Sequence, residues 1–364
     1  MPSLNDSLEI GPNLLPETVG CLLRFRLYEF ALTCDGKQAF LRNATRFFWY
    51  KQKKGSSKTA TFTDEVTTYR FTLLPFGLSC SLLPFCATTR ELAANHINDF
   101  PTSEALLDKH LYMDDFVVSL ETESQIMVLQ KEVKDLMSLI KLSMEKWATD
   151  SLKLQHLLEA NKENFKTETT VLCIGWNTKT DTLSNAFKTS LCAPPDKPLT
   201  KKWLLHCITS LYDPLGLFTP FTIIGKILFQ DTWILGINWD EILPTNLAAV
   251  WHTVTTQLDA ISSKEVPRFI GISSLDSFNI HIFYDASERV YVAVLYIVTS
   301  RNNQSSIHLV CSRNRLAPIR KVSLLRLELL AAVIGTRLLK FFRNDTGLSQ
   351  STATLWSYCE VPLG

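Results

Sequence analysis

The sequence predicts an α+β protein, and three observations carry that prediction. In the first half, apolar strand-like runs alternate with helical periodicity in the order strand, helix, hairpin, helix. A tryptophan-rich stretch with helical spacing follows, and the last part has two alternating strands running into a helix with one apolar face. Between the first two parts, the proline cluster Pro194-Pro-Asp-Lys-Pro198 marks a boundary or linker, so the chain divides into residues 1–193, 194–266 and 267–364.

Composition sets the frame for this division. At a prior of about 150 residues per domain, 364 residues allow two domains or one with an appendage. Hydrophobic residues at 46% and charged residues at 20% exclude a disordered, collagen-like or coiled-coil chain. With 37 basic against 36 acidic residues the net charge is +1, so any contact with nucleic acid is local rather than a pull by the whole protein. The 9 cysteines are odd in number, scattered and without zinc-ligand spacing, which reads as reduced thiols. The N-terminus lacks a signal-peptide pattern, and no run approaches the roughly 18 apolar residues of a membrane span. A cytoplasmic or nuclear protein with no membrane partner is expected.

Taken in order, the run from Cys21 to Asp35 ends in apolar residues broken by a carboxylate, which suggests a strand delivering Asp35 to its end. Lys51-Gln-Lys-Lys-Gly-Ser-Ser-Lys58 reads as a solvated loop between two strands or as a phosphate-contacting loop. Pro75 and Gly77 punctuate Leu73 to Leu78, and the apolar spacing from Ser81 to Phe100 predicts a buried helix after that loop. His110 to Ser119 places Asp114 and Asp115 between two short apolar runs, the pattern of a hairpin with acids at its bend. Thr122 to Gln125 has capping-box spacing, and Ile126, Leu129, Val133, Leu136 and Ile140 mark the apolar face of the helix behind it. In the middle part, Trp233, Trp239 and Trp251 read as core. In the last part, Phe278, Ile280 and Ile282 alternate ahead of Tyr284-Asp-Ala-Ser287, Val290 to Val298 forms a second strand, and the following helix carries Glu328 inside its apolar face.

The acids are the chemically expressive residues. Asp114 and Asp115 taken alone read more readily as a solvated turn. If adjacent strands bring Asp35 beside Asp114, however, the carboxylates repel unless a cation sits between them. Magnesium suits hard oxygen ligands of this kind. Two such ions about 4 Å apart stabilise the attacking and leaving oxygens of an in-line phosphoryl displacement.

Tyr112-Met113-Asp114-Asp115, preceded by a strand-terminal acid and a Pro-Phe-Gly loop, resembles the palm of reverse transcriptases. Five ordered motifs widen the resemblance: Gly11 to Pro16, Leu74 to Ser81, Leu211 to Pro220, Ser312 to Pro318 and Arg326 to Ala332. Together they look like the polyprotein of Bel-Pao long-terminal-repeat retrotransposons. The resemblance implies a reverse-transcriptase palm, an antiparallel sheet backed by helices, then a helical connection and an incomplete ribonuclease H-like α/β domain. It implies RNA-directed DNA polymerase activity on a primer and an RNA or DNA template, with deoxynucleoside triphosphates and magnesium or manganese.

By the same resemblance Asp35, Asp114 and Asp115 are catalytic and hold metal. Phe40 falls where the family excludes the ribose 2′-hydroxyl, although the sequence alone favours a core phenylalanine there. Phe76 and Gly77 fall in a loop against template and nucleotide, or in a plain turn; Tyr112 and Met113 complete that surface. Lys146 and Trp147 resemble the start of a primer-holding hairpin, or are a snorkelling lysine beside a core tryptophan. Asp285 and Glu328 match two metal ligands of the ribonuclease H domain, which acts on an RNA–DNA hybrid. Glu328 also reads as a buried acid paired with Arg326 or Arg313, because an acid in an apolar helical face needs compensation.

Several working parts depart from the pattern. The chain begins at the segment expected after the fingers, and the family's Asp-Ile-Glu-Lys-Ala-Phe reads Asp35-Gly-Lys-Gln-Ala-Phe40 with a shortened spacing to Arg46. The third ribonuclease H acid is expected after a tryptophan, yet the residues are Trp356-Ser-Tyr-Cys359, and the chain stops before a fourth acid. Impaired polymerase activity, lost ribonuclease H activity and poor solubility from an open sheet edge are the expectations. The alternative is a catalytically dead transposon-derived fragment that binds nucleic acid or protein.

Overall fold

The computed structural model describes residues 9–37, 46–52, 62–70, 82–185, 198–274, 277–301, 304–349 and 351–358. Two compact units emerge: Met1–Pro16, Cys34–Phe116 and Val128–Glu145 form one, and Glu17–Thr33, Val117–Met127 and Lys146–Gly364 the other. The fold is a mixture of helices and largely antiparallel sheets, as the composition pattern predicts.

The first elements are helix α1 (Thr18–Phe25), strand β1 (Phe30–Lys37), and the antiparallel pair β2 (Arg46–Gln52) and β3 (Phe62–Arg70). The expected strand is therefore confined to its second half. Cys21, Leu22, Leu23 and Phe25 are fully buried in α1, so this helix lacks the polar stripe that would distinguish it from a buried strand. β2 and β3 flank the basic loop as expected, while that loop beyond Gln52 lies outside the described residues.

Helices α2 (Leu82–Asn95) and α3 (Pro101–His110) follow, then β4 (Leu111–Tyr112), β5 (Asp115–Leu120), α4 (Glu123–Leu139) and β6 (Ser143–Thr149). α2 is less buried than its sequence suggests: only Phe85, Cys86, Thr89 and Ala93 turn inward. The capping box before α4 forms reciprocally. The Thr122 N–H donates to Gln125 Oε1 at 3.1 Å and the Gln125 N–H donates to Thr122 Oγ1 at 3.3 Å. Ile126, Leu129, Val133 and Leu136 are fully buried, and Ile140 is half-buried, on the face that the periodicity marks. β4, β5, β1 and β6 are neighbours, in that order, in one sheet.

In the second unit, α5 (Leu152–Ala160) precedes β7 (Glu168–Val171), β8 (Ile174–Asn177) and β9 (Thr182–Ser184). Helices α6 (Lys201–Ser210), α7 (Thr219–Ile234), α8 (Thr245–Thr256) and α9 (Leu258–Ser262) come next, and β10 (Glu265–Pro267) returns to pair with β9. Trp251 is core, but Trp233 and Trp239 are about half exposed. Their rings pack around the buried Lys201 ammonium, which lies 3.5 Å from the Trp233 ring centre and donates to the Ile237 carbonyl at 2.9 Å. A cation on an aromatic face keeps these two tryptophans at the surface instead of in the interior.

The last stretch is β11 (Ser277–Ala286), β12 (Val290–Arg301), β13 (Gln304–Leu316), α10 (Leu324–Thr346) and β14 (Ala353–Ser357). The sheet order is β13-β12-β11-β14, with β14 parallel to β11 and the other pairs antiparallel. The inward alternation of Ile280 and Ile282 matches the sequence reading, and Leu327, Ala331, Leu338 and Phe342 of α10 close over the sheet. Gly335 permits the close approach, since a Cβ there would stand 3.3 Å from Ile282 Cγ2. Gly347, at φ 76°, ends α10 in the left-handed conformation that favours glycine.

Two buried arginines bind the second unit together. Arg268 ion-pairs with Asp150 at 2.9 Å and Asp181 at 2.5 Å, and donates to the carbonyls of Phe25 and Tyr28, each at 2.8 Å. Arg26 donates to the carbonyls of Pro267 at 3.0 Å, Leu309 at 2.8 Å and Val310. Among the described residues no helix is long and apolar enough to cross a membrane.

Candidate active site

Alternation along β1 sets the positions of the first candidate acid. Cys34 and Gly36 are buried, and Asp35 between them is half-exposed on the opposite side of the strand. The Gly36 N–H donates to the Asp114 carbonyl at 2.8 Å, so the residue next to Asp35 is bonded directly to the hairpin tip. That hairpin is tight: Leu111 pairs with Phe116 and Tyr112 with Asp115, which leaves Met113 and Asp114 as the turn. Met113 has φ 55°, a conformation that costs a non-glycine residue roughly 1–3 kcal/mol. Buried Leu111 and Phe116 hold the base of the turn, while Tyr112, Met113, Asp114 and Asp115 are half-buried.

Sequence reasoning did not single out Cys34. It is fully buried, and its thiol is pushed well above the usual range by burial first and then by the carboxylates of Asp35 and Asp115. Those two acids therefore act on one buried group from neighbouring strands. The strand alternation that points Asp35 outward also points Cys34 inward, and that signal was available in the sequence. Among the described residues no three His, Cys, Asp or Glu side chains converge as a metal-holding group. The hard oxygen donors nevertheless suit a divalent cation in kind, and Asp35 and Asp114 stand on adjacent segments of one sheet.

Phe40, Phe76 and Gly77 lie outside the described residues. Lys146 is exposed in β6 with φ 54°, and Trp147 beside it is 1% exposed, a core position.

The second pair of acids lies in the second unit. Asp285 is exposed near the end of β11. Glu328 is buried in α10, and its Oε2 has no hydrogen-bond partner. Burial raises its carboxyl above the usual range, and nearby Asp285 raises it further, while the Ala286 backbone N–H opposes both. Among the described residues no ion pair joins Glu328 to Arg326 or Arg313, so the pairing alternative is not realised. An orphaned buried carboxylate oxygen beside a second carboxylate is a donor set that suits a divalent cation.

Strand register describes the approach to Tyr358. β14 runs parallel to β11 with Ser357 opposite Tyr284, the last pair of the ladder, and Tyr358 follows as a bend just past the strand. Trp356 secures this register by donating its Nε1–H to His281 Nδ1 at 3.0 Å. Tyr358 itself is 95% exposed. A phenol at neutral pH supplies no carboxylate to complete the pair.

Residues 200–358 match the family model of the Pao retrotransposon-like RNaseH-like domain. The matched stretch contains Asp285, Glu328 and Tyr358. Among solved structures, the foamy viral protease-reverse transcriptase dRH in complex with double-stranded DNA aligns with a TM-score of 0.58 and 16% identity, over 97% of this chain and 53% of that one. The foamy viral protease-reverse transcriptase with an RNA/DNA hybrid aligns with a TM-score of 0.54 and 16% identity, over 95% of this chain and 40% of that one. The same viral protein with double-stranded DNA gives a TM-score of 0.56 and 15% identity, over 99% of this chain and 66% of that one. The likeness is one of fold, and the chain spans 40 to 66% of the length of these viral chains. No curated protein matches the chain. The domain match and the shared fold support a segment of a retroelement polyprotein.

Proposed function

We propose that the chain is the reverse-transcriptase segment of a Bel-Pao-type retrotransposon polyprotein. In this reading residues 1–193 are the palm, 194–266 the helical connection and 267–364 a partial ribonuclease H-like domain. The observation that carries it is the bond from Gly36 to Asp114, which seats the tip of the acidic hairpin against the strand bearing Asp35. The foamy viral protein of similar fold has been solved with double-stranded DNA and with an RNA/DNA hybrid, which supports nucleic-acid partners here.

Asp35, Asp114 and Asp115 would hold magnesium or manganese. A bound divalent ion supplies charge stabilisation to the attacking and leaving oxygens of nucleotidyl transfer. The residues of this chain supply position. The two-residue turn fixes Asp114, the alternation of β1 turns Asp35 away from the core, and Tyr112 and Met113 present a half-buried surface to primer and incoming deoxynucleoside triphosphate. Phe40, Phe76, Gly77, Lys146 and Trp147 belong to the proposed nucleotide and template surface.

The test is primer extension on an RNA template by the purified chain, with magnesium and manganese supplied separately and an Asp114→Asn variant alongside. Extension that disappears in the variant supports a working palm. A folded protein that extends no primer with either metal overturns the activity.

A second reading has its own observation. Tyr358, one residue past the Tyr284–Ser357 pair, carries a phenol where the resemblance expects a carboxylate, which favours a ribonuclease H-like part that binds a hybrid without cutting it. Hybrid binding without cleavage, measured on a labelled RNA strand, distinguishes that reading from an active nuclease.

A further inference from the structure

A cavity of about 410 Å³ opens in the second unit between the end of β13, the middle of α10 and the residue preceding α1. We propose that this cleft binds a phosphate ester, with Arg313, Arg315 and Arg337 as the groups that hold the anion. The proposal goes beyond the carboxylate sites and does not depend on what they do.

Strand geometry assembles the cations. Arg313 and Arg315 are two residues apart and share one face of β13. They pair across to Ala293 and Tyr291, which lie on the side of the sheet that α10 covers. Arg337 enters from α10, so guanidiniums from a strand and a helix line one space. Among the described residues neither the Arg315 nor the Arg337 side chain makes a hydrogen bond or ion pair, and the Arg313 guanidinium makes only a long contact of 3.4 Å with the Pro214 carbonyl. Among the described residues Glu17 is the single carboxylate on the wall, and its side chain pairs with none of them.

The surroundings deepen the positive field. Lys226 donates to Asn314 Oδ1 at 3.1 Å, and Asn314 Nδ2 donates to Thr219 Oγ1 at 3.0 Å, which anchors β13 from its other face between the two arginines. Lys226 is held below the usual lysine range by burial first; Asp213 opposes that shift and Arg313 adds to it. Three unneutralised guanidiniums around one cavity repel one another, and an anion with several acceptor oxygens relieves that repulsion. The fork of donors on arginine fits phosphate geometry. Ile334, Leu338 and Phe341 supply an apolar floor, with an aromatic ring available to a sugar or base. The volume is that of an ordinary small-ligand pocket.

A phosphate ester reaches such a cleft either as a free nucleotide or as a phosphodiester within a strand. The experiment uses the full chain and two probes: deoxyadenosine monophosphate followed by calorimetry, and a short fluorescein-labelled single-stranded DNA followed by anisotropy at low salt. The double variant R315E/R337E, at exposed positions, is expected to weaken binding by about tenfold or more, while R337K retains most of it. Weakened binding of the monophosphate identifies a free nucleotide. Weakened binding of the DNA alone identifies a strand phosphodiester and also flattens its salt dependence. If the double variant fails to fold by circular dichroism, R337Q alone is expected to show a loss of about threefold. Unchanged affinity for both probes in a folded variant, or no binding of either probe by the parent chain, overturns the proposal.

Discussion

Arg26 donates its Nε–H to the backbone carbonyl of Arg268 at 3.0 Å, so two buried guanidiniums are joined through the main chain between them. Arg26 spends its remaining donors on carbonyls, and Arg268 on carbonyls and carboxylates, contributed by distant parts of the sequence. Burial lowers the Arg26 pKa to about 10, which still leaves it charged at neutral pH. The pair works as a clamp in which every unit of positive charge is met by oxygen.

Removing one jaw exposes the cost of the other groups. Arg268→Met leaves Asp150 and Asp181 without their cation and several carbonyls without a donor, and is expected to destabilise the protein by about 3–5 kcal/mol. Arg268→Lys recovers little, because a single ammonium cannot serve acceptors in so many directions. Urea unfolding measures both, and a loss below about 1 kcal/mol for the methionine variant contradicts the clamp.

Asp150 gives the clamp a pH dependence. Burial raises its carboxyl to about 6, against the lowering pull of Arg268. The folded state thus holds its proton to higher pH than the unfolded chain, whose carboxyl titrates near 3.8. The stability linked to this group is full below the unfolded value and is lost as pH rises through about 6. Asp150→Asn keeps an acceptor for the Ala31 N–H and is expected to flatten that decline. Unfolding midpoints between acidic and neutral pH provide the check.

Glu328 is expected to trade stability for function. Its buried Oε2 has no partner, and its neighbour Asp285 repels it. Glu328→Leu, which fills the same apolar face, should raise stability by about 1–3 kcal/mol. A lower melting temperature for the leucine variant indicates that the carboxylate is structurally satisfied after all.

Tyr358→Asp tests the register argument. A carboxylate just past β14, one residue beyond the Tyr284–Ser357 pair, is expected to reach Asp285 and add a third acid to that site. Binding of manganese, followed by the loss of its free paramagnetic signal, is expected to tighten about tenfold or more relative to the parent chain. Equal binding by both proteins places residue 358 away from Asp285.

Features governed by neighbours in sequence are legible in the sequence itself. The Thr122–Gln125 capping box and the stripe from Ile126 to Leu136 depend on spacings within one helix, and the Met113–Asp114 turn depends on the residues that flank it. β13 was not legible, because its sequence Gln304–Leu316 mixes exposed polar residues with a run of buried ones and its pairing with β12 shifts register between Leu295 and Tyr296. The surface position of Trp233 depends on Lys201, a residue of another helix. The two clamp arginines look like ordinary surface charges in sequence, since their acceptors are remote along the chain. At the candidate site, the acids were readable as residue types in a pattern. Their tie through Gly36 and the parallel pairing of β14 with β11 depend on contacts remote in sequence.

The parallel pairing of β14 with β11 also sets an order of events during synthesis. The hairpins β11–β12 and β12–β13 close between segments that leave the ribosome in succession, and they can form early. β14 is made only after all of α10, so the inner strand β11 waits with one edge open until the last strand arrives. A nascent chain paused within α10 therefore exposes the backbone of Ile280 to Tyr284 to any other strand nearby. Chaperone demand, and the risk of pairing between copies on one message, should peak at that stage of translation.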